Sequence, residues 1–511
     1  MPHGAQRSII AAVLVGAGLL LAGCSRSMEV RGTDGFIRLD STGFKLNGKP
    51  FFPLAVNYIM GYRSDGQQLW CSASADYQPQ RADHFCSKDS TLLHFRADME
   101  LIKEMGFNTV RFVGIDHDQG RDEKGHGDSL GVKANVRMDY DTIMLFSDPR
   151  THEPYFHALD EMLGIVEQVG LKAILLTWVI PDKPATAAFQ AKLLDHLHTN
   201  TTILAFDLFN EPLYFDRPER PKHEAERIAK EWHALMRAHA PDHLLTIGYT
   251  GIREVFEFDP NIVDIDFVSF HPYEYEPDQV VNEIYWYSTY VKIPWIIGET
   301  AIPADNDSVP HEKQLAFARR TLERAFDCKA AGYSWWQYKD VAWNYFHADY
   351  MGVVTREGHT RTRSGLDVPG TVKPVAQAIK EFDPTQARGP CTCEANYYNY
   401  SDGHLAKLTG RLVDADGKPI VGGVVLGWSR WWDRSYHTVT HEDGRFELRG
   451  DLYFHHWMVS AVGRTMERGE CAPNEGRRGP DGIAAIDLGT ITLPWLKDAP
   501  DLPRAMPADH E

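Results

Sequence analysis

Eight short apolar runs punctuate most of the chain: 50–58, 108–115, 171–178, 203–211, 243–250, 265–273, 293–300 and 332–340. Between them lie amphipathic stretches such as LLHFRADMELIKEMG, YFHALDEMLGIVEQVG and HEKQLAFARRTLERAFDCKAAG. In these, apolar residues return at three- and four-residue steps and a glycine often closes the pattern, which predicts helices. Runs that are apolar throughout predict strands buried on both faces, and strands alternating with helices predict a parallel sheet clothed by helices. Eight such units of about 30 residues predict an α/β fold, a (β/α)8 TIM barrel. Its span is read as 36–385, closed by a last helix near 372–382. An open doubly wound sheet is the alternative, but no glycine-rich phosphate loop follows the first strand. The connections 59–91 and 116–150 are long enough to carry function and are expected to wall a cleft, bringing Trp70, Tyr77, Asp116, His117 and Asp118 to it.

The pattern changes at about 386. A Pro/Cys/Asn/Tyr-rich linker (386–404) leads into alternating polar and apolar residues with Asp-Gly turns, read as a small antiparallel all-β sandwich over 405–496. Trp428, Trp431, Trp432 and Trp457 either pack this domain, the favoured reading, or present a sugar platform. The Pro/Asp/Ala-rich tail, 497–511, is expected to be disordered.

At the other end, Arg7, an apolar run and Leu21-Ala22-Gly23-Cys24 resemble a bacterial lipoprotein signal, residues 1–23, followed by a tether over 24–35. The resemblance implies a lipid on Cys24 and a lipid-anchored place in the cell envelope, at the outer membrane if the cell has two. An ordinary signal peptide or a single membrane anchor is the alternative. The formal charge of −18 disfavours nucleic acid and anionic lipid as partners. An exported protein can keep disulfides. Cys71 and Cys86 flank one polar stretch and form a candidate clip; Cys391 or Cys393 is a candidate partner for Cys471; Cys328, in a helical pattern, reads as a buried free thiol. Cys391-Thr392-Cys393 fits no common zinc spacing, and Asp116, Asp118 and Asp122 fit no recognised calcium loop.

The candidate chemistry lies at the ends of two apolar runs. Glu211, in ILAFDLFNEP, and Glu299, in IPWIIGET, are 88 residues apart, the separation of strands four and seven. A carboxylate at the exit of a buried strand is costly without a role. Two on one barrel rim suggest glycoside hydrolysis, one as acid/base and one as nucleophile.

The fragments LNGKPFFPLAVNY, MGFNTVRF, FNEP, HPY, GET and WWQYKD, in this order, resemble the retaining β-glycosidases of clan A, most nearly the cellulase/mannanase family, family 5. The likeness covers roughly 36–385. It implies that Glu211 is the general acid/base and Glu299 the nucleophile. It further implies that Arg111 keeps the nucleophile ionised, that Asn210 binds a sugar 2-hydroxyl, that His271 and Tyr273 meet the −1 sugar, and that Trp336 floors it. Trp335 points the other way by strand alternation and reads as packing. Trp178, Asn57 and Tyr58 are further cleft candidates. Leu-Thr-Trp at the end of strand three departs from the histidine common in cellulase-like members, which leaves the sugar open. The expected activity is cleavage of a β-linked glucan, mannan or related oligosaccharide by a monomer. No metal or organic cofactor is expected, because carboxylates alone serve the proton transfers and the covalent step. A transglycosylase using the same residues, a non-catalytic glycan-binding lipoprotein and a scaffold working through the sandwich are the competing readings. The phrase G-x-x-x-D-x-x-G-x-P-I followed by T-x-E-D-G-x-F resembles transthyretin-like, carboxypeptidase-regulatory domains.

Overall fold

The computed structural model describes residues 35–498, except 65–67, 78–86, 115–118, 121–128, 137–138, 146–151, 178–183, 216–219, 431–433 and 472–477. The signal and Cys24, Cys86, Asp116, His117, Asp118, Asp122, Trp178, Trp431, Trp432 and most of the expected tail therefore lie outside the described residues.

The eight apolar runs form eight parallel strands: β1 (Leu54–Ser64), β2 (Thr109–Val113), β3 (Lys172–Leu176), β4 (Ile203–Asn210), β5 (Leu244–Tyr249), β6 (Phe267–Phe270), β7 (Trp295–Ile297) and β8 (Gly332–Trp335). Each pairs with the next, and β8 returns to β1 through Tyr333–Leu54 and Trp335–Val56, so the barrel closes as expected. Most strand residues are buried because the interior fills one face and helices cover the other.

The helices are α1 (Lys88–Glu104), α2 (His152–Val169), α3 (Pro184–Leu197), α4 (Lys222–His239), α5 (Gln279–Tyr290), α6 (His311–Asp327) and the short α7 (Ala376–Lys380). In α4, Ala225, Ile228, Ala229, Trp232 and Met236 make the buried stripe, while Glu226–Lys230 and Arg227–Glu231 pair across the wet face. Helix α1 ends before Gly106, whose φ of +98° and close approach to Lys380 Cα, 2.9 Å from any added Cβ, leave no room for a side chain.

A small antiparallel sheet (37–50) underpins the barrel. Ile37, Leu39 and Phe44 pack with Leu204, Leu244, Phe267 and Ile296 near the strand starts. The cleft must therefore open at the opposite, C-terminal end of the strands. There β1 runs on beyond the barrel and pairs with Leu69–Ala73. Part of the first long connection is thus a hairpin; Trp70 is buried in it and Tyr77 in the short turn Ala75–Tyr77 that follows.

The C-terminal region holds two sheets. Strands β9 (Ala406–Val413), β12 (Arg445–Gly450) and β15 (Ala484–Thr492) form one; β10 (Val424–Trp428), β11 (Ser435–Val439), β13 (His456–Ser460) and β14 (Glu467–Glu470) form the other. The expectation of a purely antiparallel sandwich needs correction, since β9 and β15 pair in parallel. Alternation along β10 shows how the domain is held: Val424, Leu426 and Trp428 join the barrel's core, whereas Val425 joins the core between the sheets. Trp428 is buried and stacked on His456, and Trp457 packs against the inner core, so both are packing residues.

Polar contacts reinforce this docking. The Lys222 ammonium meets Asp259 at 2.9 Å and the Ala461 carbonyl at 3.1 Å, and the Gly463 N–H also donates to Asp259. The Trp286 indole N–H donates to the Gly422 carbonyl, and His437 lies 2.8 Å from Glu283. The segment read as a linker packs too, with Tyr397 edge-on to Tyr285 and buried.

The cysteine readings change. Cys328 is bonded to Cys391 and is not a free thiol, while Cys71, Cys393 and Cys471 are free. The end of α6 and the linker are brought together by barrel closure, which spacing along the chain does not reveal. No helix among the described residues is long and apolar enough to cross a membrane.

Candidate active site

The barrel brings the two glutamates together. Glu211 follows a β-bulge: between Asp207 and Asn210, β4 carries one residue more than its partner β5. A bulge re-aims the chain beyond it. Glu211 then takes a φ of +52°, fixed by its N–H donating to the Gly248 carbonyl at 2.7 Å. Strain of this kind in a non-glycine residue persists only where the surroundings enforce it. Glu299 is two residues beyond β7 and only 3% exposed.

Arg111 on β2 lies between the strands that carry acids. Its guanidinium donates to Glu299, to Asp207 at 2.9 Å, to Asn57 at 2.8 Å and to Asn210 at 2.9 Å. Burial alone would lower its pKa, but the charges of Asp207 and Glu299 hold it above the ordinary arginine value. The second oxygen of Glu299 accepts from the Tyr273 hydroxyl at 2.8 Å. Burial, then the neighbouring Glu299, pushes the Tyr273 pKa far up, so it remains a phenol that donates.

Glu211 has the opposite setting. Burial lifts its carboxyl to about 7, against the partial counter-pull of Arg253 and Arg111. His271 Nδ1 lies 3.0 Å from Glu211 and 3.6 Å from Glu299. Burial lowers the imidazole to about 4, so the ring is neutral. It donates to ionised Glu211 from Nδ1, or accepts from the acid form there, while Nε2 is buried without a partner. The ring fits because Gly248 and Gly298 flank it; a Cβ on either would come within 2.9 Å of Nε2. His271 thus bridges the acids inside the barrel and does not line the open cleft.

Asn57, expected at the cleft, is fully buried. Its amide donates to the Gly298 carbonyl, Ser334 and the Trp335 carbonyl, and its oxygen accepts from Arg111, so it braces that arginine instead of facing a sugar. Tyr58 is likewise buried, donating to Asp98. Asn210 is half-buried and keeps its NH2 outside the Arg111 bond. Trp336 is half-buried at the top of β8, its backbone N–H donating to the Thr300 carbonyl beside Glu299. Trp335 is buried with its indole bonded to the Met351 carbonyl, in keeping with packing.

Two acids were missed. Asp207 anchors Arg111 and accepts from the Gly248 N–H at 3.0 Å; a carboxylate inside the apolar run ILAFD was the available signal. Glu254, pushed to about 7 by burial, accepts from the N–H groups of Thr250 and Leu213, and no local pattern marks it.

An oxygen of Glu211, an oxygen of Glu299 and a ring nitrogen of His271 lie within 4.8 Å of one another. These are donor types a metal ion accepts. The Arg111 cation already occupies one Glu299 oxygen, however, and Tyr273 the other, a poor setting for a second positive charge.

The profile of the family described as Cellulase (glycosyl hydrolase family 5) matches residues 78–340, more than half of the chain. The chain belongs to glycosyl hydrolase family 5. The family-5 match contains Arg111, Asn210, Glu211, His271, Tyr273, Glu299 and Trp336, while Asn57 precedes it. No curated protein matches the chain. Similar solved structures include an endo-1,4-beta-mannanase from Rhizomucor miehei, with 15% identity, 68% of this chain and 100% of that one covered, and a TM-score of 0.44. Another is GH5_18 from Streptomyces cattleya in complex with GlcNAc, at 15% identity, covering 72% and 85%, TM-score 0.43. A third is a calcium-binding mutant of Bacteroides uniformis beta-glucuronidase 2, at 13% identity, covering 88% and 48%, TM-score 0.41. The chain spans about half the length of the beta-glucuronidases it matches, 48% to 53%.

Proposed function

We propose that this family-5 protein is a retaining glycoside hydrolase acting on β-linked glucan, mannan or related oligosaccharides, with Glu299 as nucleophile and Glu211 as acid/base. One observation carries the reading: carboxylate oxygens of the two residues approach within 4.8 Å while their surroundings differ. Retention calls for carboxyl groups about 5–5.5 Å apart, whereas inversion needs roughly 6.5–9.5 Å to admit a water. Glu299, held by Arg111 and Tyr273, attacks the anomeric carbon as Glu211 passes its proton to the departing oxygen. In the second half, Glu211 takes a proton from water, whose oxygen displaces Glu299. A group near pKa 7 suits both halves of this cycle. Asn210 and Trp336 are assigned to the sugar beside the scissile bond.

The test is sugar release from β-glucans, mannans, xylans and their oligosaccharides by wild type and Glu299→Gln. Release by wild type alone, with azide reviving Glu299→Ala and giving inverted product, is expected. Binding of a glycan without release would move the assignment to a capture protein. We also propose anchoring through a lipid on Cys24, supported by the Leu-Ala-Gly-Cys sequence. Palmitate labelling and globomycin-sensitive processing test it, and unlabelled protein in the medium would defeat it.

A further inference from the structure

Glu283 on α5 is buried where the barrel meets the C-terminal sheets. Three side chains converge on its carboxylate: His437 of β11 through Nε2 at 2.8 Å, the Gln279 amide at 3.0 Å and the Tyr287 hydroxyl at 3.0 Å. Burial opposes the charge, yet the bonds from His437 and Gln279 keep the carboxyl below its ordinary pKa. An ionised carboxylate only accepts, so His437 presents an N–H there and Gln279 turns its NH2 inward.

That orientation leaves the Gln279 oxygen facing the loop between β6 and α5. It accepts there from the backbone N–H of Tyr275 at 3.2 Å and of Glu276 at 3.3 Å. The same loop carries Tyr273, whose hydroxyl donates to Glu299 at 2.8 Å. A continuous run of hydrogen bonds thus joins a side chain of the sandwich to the loop that presents the partner of Glu299. The linker adds a second hold: the Asn396 NH2 donates to the Pro277 carbonyl at 3.2 Å and to Asp278 at 3.1 Å. Glu274 fastens the loop to the start of α5 by accepting from the N–H groups of Asp278 and Val280.

We propose that the C-terminal domain is a working part of the active site, with His437 a positioning residue that acts through Glu283 and Gln279. By fixing which way the Gln279 amide points, His437 and Glu283 set the loop and hence the Tyr273 hydroxyl against Glu299. The effect on catalysis rests on Glu299 being the nucleophile. Buried, fully satisfied polar networks of this kind hold one geometry, and small displacements at a reacting group are costly in rate. Asn396 and Glu274 keep their own bonds, so losing His437 loosens the loop without freeing it.

The test combines hydrogen exchange by mass spectrometry with kinetics on whichever glycan wild type cleaves, using the full chain. His437→Leu is expected to speed exchange in the 271–279 peptide roughly tenfold while the β4 peptide, 203–210, stays as in wild type. Its kcat should fall about ten- to a hundredfold. His437→Gln can still donate to Glu283 and is expected to recover most of both. On a Gln279→Ala background, His437→Leu should add no further loss, because the relay is already cut. Should His437→Leu loosen the sandwich as a whole, Glu283→Gln reads the relay from the barrel side and is expected to loosen the same loop. Unchanged exchange in 271–279 in both variants overturns the proposal, as do additive losses in the double variant or a loosened loop with wild-type kcat. A wild type that cleaves no glycan would defeat the glycosidase reading, and the exchange data alone would then decide whether His437 holds the loop.

Discussion

Arg111 donates to Glu299 across 188 residues of chain, and this contact holds two strands of the barrel to one charge arrangement. The same guanidinium also donates to Asp207, so one buried cation faces two buried acids, with Asn57 and Asn210 taking two of its remaining N–H groups. A fixed guanidinium does this where an ammonium would not, because its planar fork serves several acceptors at once.

Arg111→Met should therefore be costly in two ways. It leaves Asp207 and Glu299 buried without a counter-charge, a loss of about 3–5 kcal/mol for broken buried pairs. Thermal unfolding should report the lower stability, and kcat/KM on whichever glycan is cleaved should fall at least about a hundredfold. Near-normal values of both would show that another group carries the charge.

The pH dependence follows from Glu211. Burial raises its pKa to about 7, so the proton-donating form predominates below that pH. The rate is expected to fall about tenfold per pH unit above 7, and Glu211→Gln should flatten that limb along with a large loss of rate. Stability follows the same sign: a raised folded pKa adds stability fully below the ordinary carboxyl value and loses it as pH rises through 7. A rate profile without an alkaline limb would remove Glu211 from the proton-donor role.

Cys328 and Cys391 close a loop across 63 residues of sequence. Constraining the unfolded chain over that length is worth about 4 kcal/mol. The paired Cys328→Ser, Cys391→Ser variant should unfold at lower denaturant, whereas Cys393→Ser, an exposed free thiol, should leave the midpoint in place. Equal midpoints for all three proteins would count against the bond.

Lys222 and Asp259 are both fully buried between the barrel and the C-terminal sheets, with Ala461 and Gly463 of the sandwich bonded to them. Lys222→Met strands Asp259 without its cation, which costs about 3–5 kcal/mol in a buried pair. The two regions should then separate, read as faster proteolysis between 386 and 404 and as a split thermal transition. A single unchanged transition would show that apolar packing by Val424, Leu426 and Trp428 suffices.

What was legible along the chain was whatever consecutive residues encode. Apolar runs of strand length, helical stripes and closing glycines predicted the eight-stranded barrel, and each expected run became a strand within a few residues. Glu211 and Glu299 were visible because acids at the ends of apolar strands stand out. Tertiary structure decided everything that depends on which distant side chains meet. Asn57 turned inward to brace Arg111, and His271 slid between two glycines to bridge the acids. Cys328 found Cys391, and one face of β10 joined the barrel core. A strand's period states which residues share a face. Only closure of the barrel, and docking of the sheets upon it, settles what that face meets.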